Sequence, residues 1–244
     1  MKMVRPLGLA LLIALAACSK KADQAVPSVG PIAAVPPPAG KQWTDVVVAT
    51  PQGGMLMGNP NAPVKIVEYA SYTCPHCKLF EQEGAGPLQQ KYVSTGKVSW
   101  EFRSFLIHGP DMAVTMLMNC RGPAPFFALS QQLYAAQDDW LGKMAAMPAA
   151  EQQRIATLAP ADQFKALAAL GDLYGFFGVR GLPRAQADAC LSDQAAIDKV
   201  TAAQANATDK DQVDSTPTFI INGAKQADMA TWAQLDARLS EILH

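Results

Sequence analysis

The feature that most restricts what this chain can become is a strand running directly into a pair of cysteines. Residues 64–70, Val-Lys-Ile-Val-Glu-Tyr-Ala, are β-branched or apolar almost throughout, as in a central strand buried on both faces. A polar turn, Ser71-Tyr72-Thr73, leads into Cys74-Pro75-His76-Cys77, which opens a helical stretch to about Tyr92, interrupted near residues 84–87. A helix N-terminus offers unpaired N–H groups and partial positive charge, so a cysteine at its cap is stabilised as a thiolate. Pro75 suits the first helical position, where its missing N–H would be unpaired anyway. His76 is expected to add a donor or a positive charge beside the Cys74 sulfur. Cys77 lies one turn along, close enough to attack a mixed disulfide on Cys74. Stabilising the thiolate stabilises the reduced pair, which makes the disulfide form a strong oxidant.

Other uses of a Cys-x-x-Cys pair fit less well. Zinc wants four ligands, and the chain holds only three histidines (His76, His108, His244) and no second such pair. Covalent haem attachment needs histidine after the second cysteine, where Lys78 stands. No metal and no cofactor is expected. The balance of 20 basic against 21 acidic residues leaves no field to hold a polyanion, so no nucleic-acid partner is expected.

The rest of the chain reads as α/β. Residues 46–48 and 55–57 are short strands flanking Gly53-Gly54, and Val98, Trp100 and Phe102 alternate with polar residues as in a further strand. From residue 110 to 190 the strand signals vanish. Met112, Met116 and Cys120 share one helical face, and Phe126, Leu129, Leu133 and Gln137 are spaced similarly. A helix over about 193–211 follows. Strand character returns at residues 218–221, before the turn Asn222-Gly223, and an amphipathic helix carries Trp232, Leu235, Leu239 and Ile242. There are no internal repeats. Thr216-Pro217 stands directly before the late strand, where a proline can be cis and leaves the Thr216 backbone free to pair with an extended substrate.

The N-terminal stretch reads as an address and a tether. Lys2 and Arg5 precede an apolar run over residues 7–17, too short to span a membrane as a helix. It ends Leu15-Ala16-Ala17-Cys18, which resembles the lipobox of bacterial lipoproteins. That resemblance implies cleavage of residues 1–17, acylation of Cys18 and a stable membrane anchor. The alternative is an ordinary soluble periplasmic protein in which Cys18 is incidental. Ser19, in place of aspartate, points to the outer membrane. Residues 18–42 are Pro- and Ala-rich, cannot form a core, and are expected to be an extended linker.

The loop Gly58-Asn59-Pro60-Asn61-Ala62-Pro63-Val64, the run from Glu68 to Cys77 and Ser215-Thr216-Pro217-Thr218-Phe219 resemble the DsbA-type thiol:disulfide oxidoreductases of bacteria. The resemblance covers residues 43–244. It implies a thioredoxin-like fold with an inserted all-helical domain, divided 43–109, 110–190 and 191–244. It also implies that Cys74 is the exposed nucleophile, that Cys77 is its buried partner, and that Pro217 is cis and touches the active site. Glu68 matches the buried acid that assists proton transfer around the inner cysteine; otherwise it is a strand-edge carboxylate paired with a lysine. Thr216 is as common in the isomerase and reductase branches as in the main oxidant, so the direction of electron flow stays open.

In an oxidising compartment the remaining cysteines, Cys120 and Cys190, are expected to pair as a structural disulfide; the alternative is two unrelated buried thiols. Met112, Met116 and Met118 are core residues or, less simply, the lining of a peptide groove. His108 belongs to a connecting loop with no assigned role, and the tryptophans are packing residues.

The expected function is transfer of the Cys74–Cys77 disulfide to folding secreted proteins with free cysteines. A membrane partner would reset the pair. The expected location is the periplasm-facing envelope, with a lipid on Cys18 as anchor, and the expected state is a monomer. The alternatives are a reductase or isomerase of the same fold, and a copper metallochaperone using Cys74, His76 and Cys77.

Overall fold

The computed structural model describes residues 32–243. The expected signal peptide and Cys18 lie outside the described residues, as does the first part of the linker.

A six-stranded sheet is ordered β1-β2-β4-β3-β5-β6. Its strands are β1 (Val47–Ala49), β2 (Met55–Gly58), β3 (Val64–Ala70), β4 (Val98–Ser104), β5 (Thr218–Ile221) and β6 (Ala224–Lys225). Only β3 and β4 run parallel. β6 has just two residues, too few to show a period in sequence.

The helix after Cys74 is not broken where the sequence suggested. α1 (Pro75–Phe80) passes through a π-helical turn, Glu81–Ala85, into α2 (Gly86–Lys91). Gly84 is required there: a Cβ would lie 2.9 Å from the Phe80 ring and 3.0 Å from Trp232 Cβ on α11 (Trp232–Leu243). Pro87 falls just after the π-helical turn, where the widened backbone accommodates a residue with no N–H to donate.

The alternation in β4 does not mark one wet face. Trp100 and Phe102 pack on Phe127 and Phe126 at ring distances of 4.7 and 5.4 Å. Ser99 and Glu101 on the opposite face are buried too. Glu101 is held there by Arg103, at 2.8 and 2.9 Å, and by the Thr50 hydroxyl at 2.6 Å. β4 sits inside the sheet, so the Glu101 charge is met by partners rather than water, while the buried Ser99 hydroxyl has no hydrogen-bond partner among the described residues.

The helical insertion comprises α3 (Gly109–Cys120), α4 (Phe126–Ala135), α5 (Gln137–Ala145), α6 (Ala149–Ala156), α7 (Pro160–Leu170), α8 (Leu173–Gly178) and α9 (Arg184–Leu191). Its apolar faces join the sheet in one core: Leu117, Leu133, Phe177 and Leu191 belong to the same cluster as Ile66, Trp100 and Phe219. Met116 and Met118 are buried in it and Met112 packs against it, so the methionines serve the core rather than a groove. A disulfide between Cys120 and Cys190 ties the end of α3 to α9, with Cα atoms 6.1 Å apart. On the other face of the sheet, α10 (Gln194–Asp209) brings Ala207 against Tyr69, Val213 and Ile220.

The linker expectation fails over its last ten or so residues. Ile32 packs against the core. The Val35 N–H donates to the Thr95 carbonyl at 3.0 Å, and the Trp43 indole donates to the Val35 carbonyl at 2.7 Å. Gly96, at φ +71°, lets this strap lie close, since a Cβ there would meet the Trp43 indole nitrogen at 2.4 Å. The apolar residues scattered among the prolines are enough to bind the segment to the domain.

Candidate active site

β3 delivers residues 71–73 to the sheet's edge, where they turn into α1. Cys74 is the N-cap of α1, with extended backbone (φ −82°, ψ 124°), and Pro75 is the first helical residue. Cys74 and Cys77 are both unbonded thiols in this structure. The resemblance implied an exposed Cys74; instead it is only 6% exposed, against 1% for Cys77. Pro75 and His76 are the exposed residues of the pair's loop.

Thr216-Pro217 is a cis peptide bond. The segment folds over the cysteines, with the Cys74 sulfur 3.4 Å from the Thr216 carbonyl oxygen, to which only its protonated form can donate. The buried Thr216 hydroxyl has no hydrogen-bond partner in this state. The Thr216 side chain nonetheless favours the ionised form of each sulfur.

The two sulfurs are pushed in opposite directions. Cys74 is brought down to about 5, first by the hydrogen bond from the Cys77 thiol. Burial opposes this, and the Thr216 hydroxyl and the Cys77 and His76 backbone N–H groups add to it. Cys77 is raised well above an ordinary thiol, first by burial and then by donating to Cys74. The arrangement holds one anion and one proton on adjacent sulfurs. His76 contributes its backbone amide; its imidazole is exposed and makes no hydrogen bond among the described residues.

Glu68 lies beneath, 2% exposed on β3. It is not paired with a lysine: its carboxylate accepts from the Trp100 indole at 2.9 Å. Burial raises its pKa well above the carboxylate range, and the charge of Glu81 raises it further. Its own charge in turn opposes ionisation of Cys77. Glu81, on the π-helical turn, was not singled out in the sequence. It is 4% exposed, and burial pushes it to about 8. The signal was available, since Glu81 falls one turn after Cys77 on the same helical face. Trp100, read as packing, is also the partner of an acid.

The turn before Cys74 is held by the insertion. Asp111, in the first turn of α3, accepts from the Ser71 hydroxyl at 2.9 Å and the Thr73 N–H at 3.1 Å. It also accepts from the Thr73 hydroxyl at 2.9 Å and the N–H groups of Ile107 and His108 at 3.0 Å. The His108 ring nitrogen Nδ1 lies 2.8 Å from the Thr73 hydroxyl, so this loop residue does join the cluster. Tyr134 donates to the Ser71 carbonyl at 3.0 Å. Gln137 donates to the carbonyls of Tyr72 and Cys74 at 2.8 and 3.0 Å. Sequence alone could not link these residues to the turn, because the contacts join segments about 40 to 65 residues apart. Among the described residues, no three His, Cys, Asp or Glu side chains are grouped as a metal site requires.

A parallel β-α-β unit with a cysteine pair at its helix cap, a cis-proline opposite and a helical insertion defines a thioredoxin-fold protein of the disulfide-exchanging kind. Comparison with known proteins agrees. A family profile described as Thioredoxin matches residues 50–241, and the chain belongs to this family. A solved protein-disulfide isomerase from Novosphingobium aromaticivorans is 36% identical, with a TM-score of 0.74 over 78% of this chain and 96% of that one. Alpha-DsbA1 of Wolbachia pipientis shares the fold at 23% identity, with a TM-score of 0.59 over 80% of this chain and 93% of that one. The putative protein-disulfide oxidoreductase RP025 of Rickettsia prowazekii is 28% identical over 75% of this chain and 59% of its own length. The chain spans only about a third to three-fifths of the length of the first curated relatives it matches.

Proposed function

We propose that the protein is a thiol:disulfide oxidoreductase that passes the Cys74–Cys77 disulfide to proteins folding outside the cytoplasm. A substrate thiolate attacks Cys74, the bond between Cys74 and Cys77 breaks, and Cys77 leaves as a thiolate that takes up a proton. The substrate's second thiolate then attacks the mixed disulfide and expels Cys74. Substrate loses two electrons and the cysteine pair gains them. The observation that carries this reading is the geometry of the pair, with Cys74 capping α1 opposite the cis Thr216–Pro217 bond and Cys77 buried one turn along, an arrangement that lowers Cys74 to about 5 and raises Cys77. A low-pKa leaving group makes the second step fast and the reduced protein stable.

Glu68 is the acid that supplies the proton to Cys77 on opening and accepts it on closing. Its burial beneath the pair and its raised pKa support that role. Thr216 presents its backbone to an extended substrate, and Pro217 keeps a backbone N–H away from the sulfurs. Cleavage after residue 17, a lipid on Cys18 and a membrane partner that reoxidises the pair complete the reading.

A second reading, net reduction or isomerisation, is favoured by Thr216 and by the name carried by the 36%-identical relative. Expression of Cys77→Ala in the native envelope tests both. Clients should accumulate as mixed disulfides on Cys74, and the wild-type pair should be recovered mostly as disulfide. A mostly dithiol wild-type pair selects the second reading, and absence of any trapped client refutes both.

A further inference from the structure

Gln137 opens α5, is 2% exposed, and touches no other part of the cysteine site than its backbone. One side-chain nitrogen reaches the Tyr72 carbonyl at 2.8 Å and the Cys74 carbonyl at 3.0 Å. An amide NH2 has two hydrogens, and both are spent on this turn. Turned over, the amide would set its oxygen against two carbonyl oxygens, so the orientation is fixed by chemistry.

These carbonyls lie in the peptide planes before Thr73 and after Cys74, so together they hold the backbone that decides where the Cys74 sulfur sits. The Cys74 carbonyl also accepts the first helical hydrogen bond of α1, from Lys78 at 3.2 Å. Without Gln137 the Tyr72 carbonyl has no hydrogen-bond partner among the described residues, and a buried carbonyl does not stay unpaired. The turn would rotate to find one. Rotation moves the Cys74 sulfur relative to the His76 and Cys77 N–H groups that stabilise its anion.

We propose that Gln137 is a positioning residue: a buried amide of the helical insertion that fixes the peptide planes before Thr73 and after Cys74 and so sets where the Cys74 sulfur sits relative to the N–H groups opening α1. The insertion thereby tunes a reaction it does not touch. Asp111 and Tyr134 hold the neighbouring Ser71 and Thr73 groups; of these three insertion side chains, only Gln137 engages the carbonyl of Cys74 itself. The inference rests on the reading of Cys74 as the reacting thiolate.

The test is the pH dependence of Cys74 alkylation in reduced full-length protein, in wild type, Gln137→Met and Gln131→Met. Met keeps the volume and removes both hydrogens; Gln131 is exposed on α4 and serves as control. In Gln137→Met the midpoint should rise by about one pH unit, a roughly tenfold loss of thiolate well below the midpoint. The control should match wild type. If Gln137→Met does not fold, Gln137→Leu is read the same way, because it too is uncharged and offers neither carbonyl a hydrogen. A wild-type midpoint that is low and unchanged in the variant overturns the inference alone. A wild-type midpoint near that of a free thiol overturns the reading of Cys74 on which it rests.

Discussion

The split between the two sulfurs predicts how the protein's stability depends on redox state and pH. An ordinary thiol ionises near 9.0, and Cys74 is held at about 5. A lowered pKa favours the native reduced state above the native value, and the benefit grows until the unfolded thiol ionises too. Between pH 5.5 and 7.5 it rises with nearly the full slope of about 1.36 kcal/mol per unit, or about 2.7 kcal/mol. Solvent at the mouth of the site, where Pro75 and His76 are exposed, screens the interaction, so about 1.4 kcal/mol is the expected figure. For a two-electron couple this corresponds to roughly 30 mV towards a more oxidising pair. The benefit is lost as pH falls through 5. Cys77 adds nothing in this window, because its thiol is protonated both folded and unfolded. Glu68 and Glu81 titrate in the opposite sense, but they are present in both redox forms. Their contributions cancel to first order in the difference between reduced and oxidised protein. The assay is urea unfolding of both forms at pH 5.5, 6.5 and 7.5. The stability difference, reduced minus oxidised, should climb with pH by more than about 1 kcal/mol. A flat difference would refute the claim that Cys74 is a stabilised thiolate.

Three further outcomes follow from the same geometry. Glu81 is raised from 4.5 to about 8, so its contribution to stability is full below 4.5 and is lost as pH rises through 8. Glu81→Gln should remove up to about 4–5 kcal/mol of that decline, measured as a flatter plot of unfolding free energy against pH. Trp100→Phe deletes the indole donor to the Glu68 carboxylate, which should raise Glu68 further and move the pH profile of single-turnover disulfide exchange upward. An unmoved profile with lowered stability would reduce Trp100 to packing. Replacing Cys120 and Cys190 by alanine opens a loop with a sequence separation of 70, which by chain entropy costs about 4 kcal/mol. Denaturant melts should show that loss while Cys74 keeps its alkylation midpoint.

What could be read from the sequence was whatever depends on neighbours along the chain. The strand over residues 64–70, the cap at Cys74 and the late strand beginning at Thr218 are written in local pattern, and the structure places each there. The Cys120–Cys190 bond followed from compartment chemistry. The errors have a common cause. Glu81, Asp111 and Gln137 are polar residues whose meaning comes from what lies opposite them across the core: period puts Gln137 with Phe126, Leu129 and Leu133 and Glu81 with Cys77, but it cannot say which group each one meets. The apparent break near Gly84 misled because glycine there serves a close approach by Phe80 and α11, not a bend. The exposure expected of Cys74 failed because the segment covering it, residues 215–217, arrives from the far end of the chain.

The strap at Val35 and Trp43 has a geometric consequence. It grips Thr95 and Gly96, just before β4 begins, while the cysteines follow the end of β3. Because β3 and β4 are parallel, the chain enters at one pole of the sheet and reacts at the other, about 20 Å away along a seven-residue strand. The first described residues are therefore held at the pole of the sheet opposite the Cys74 and Cys77 sulfurs, leaving the cysteine end of the molecule clear of them.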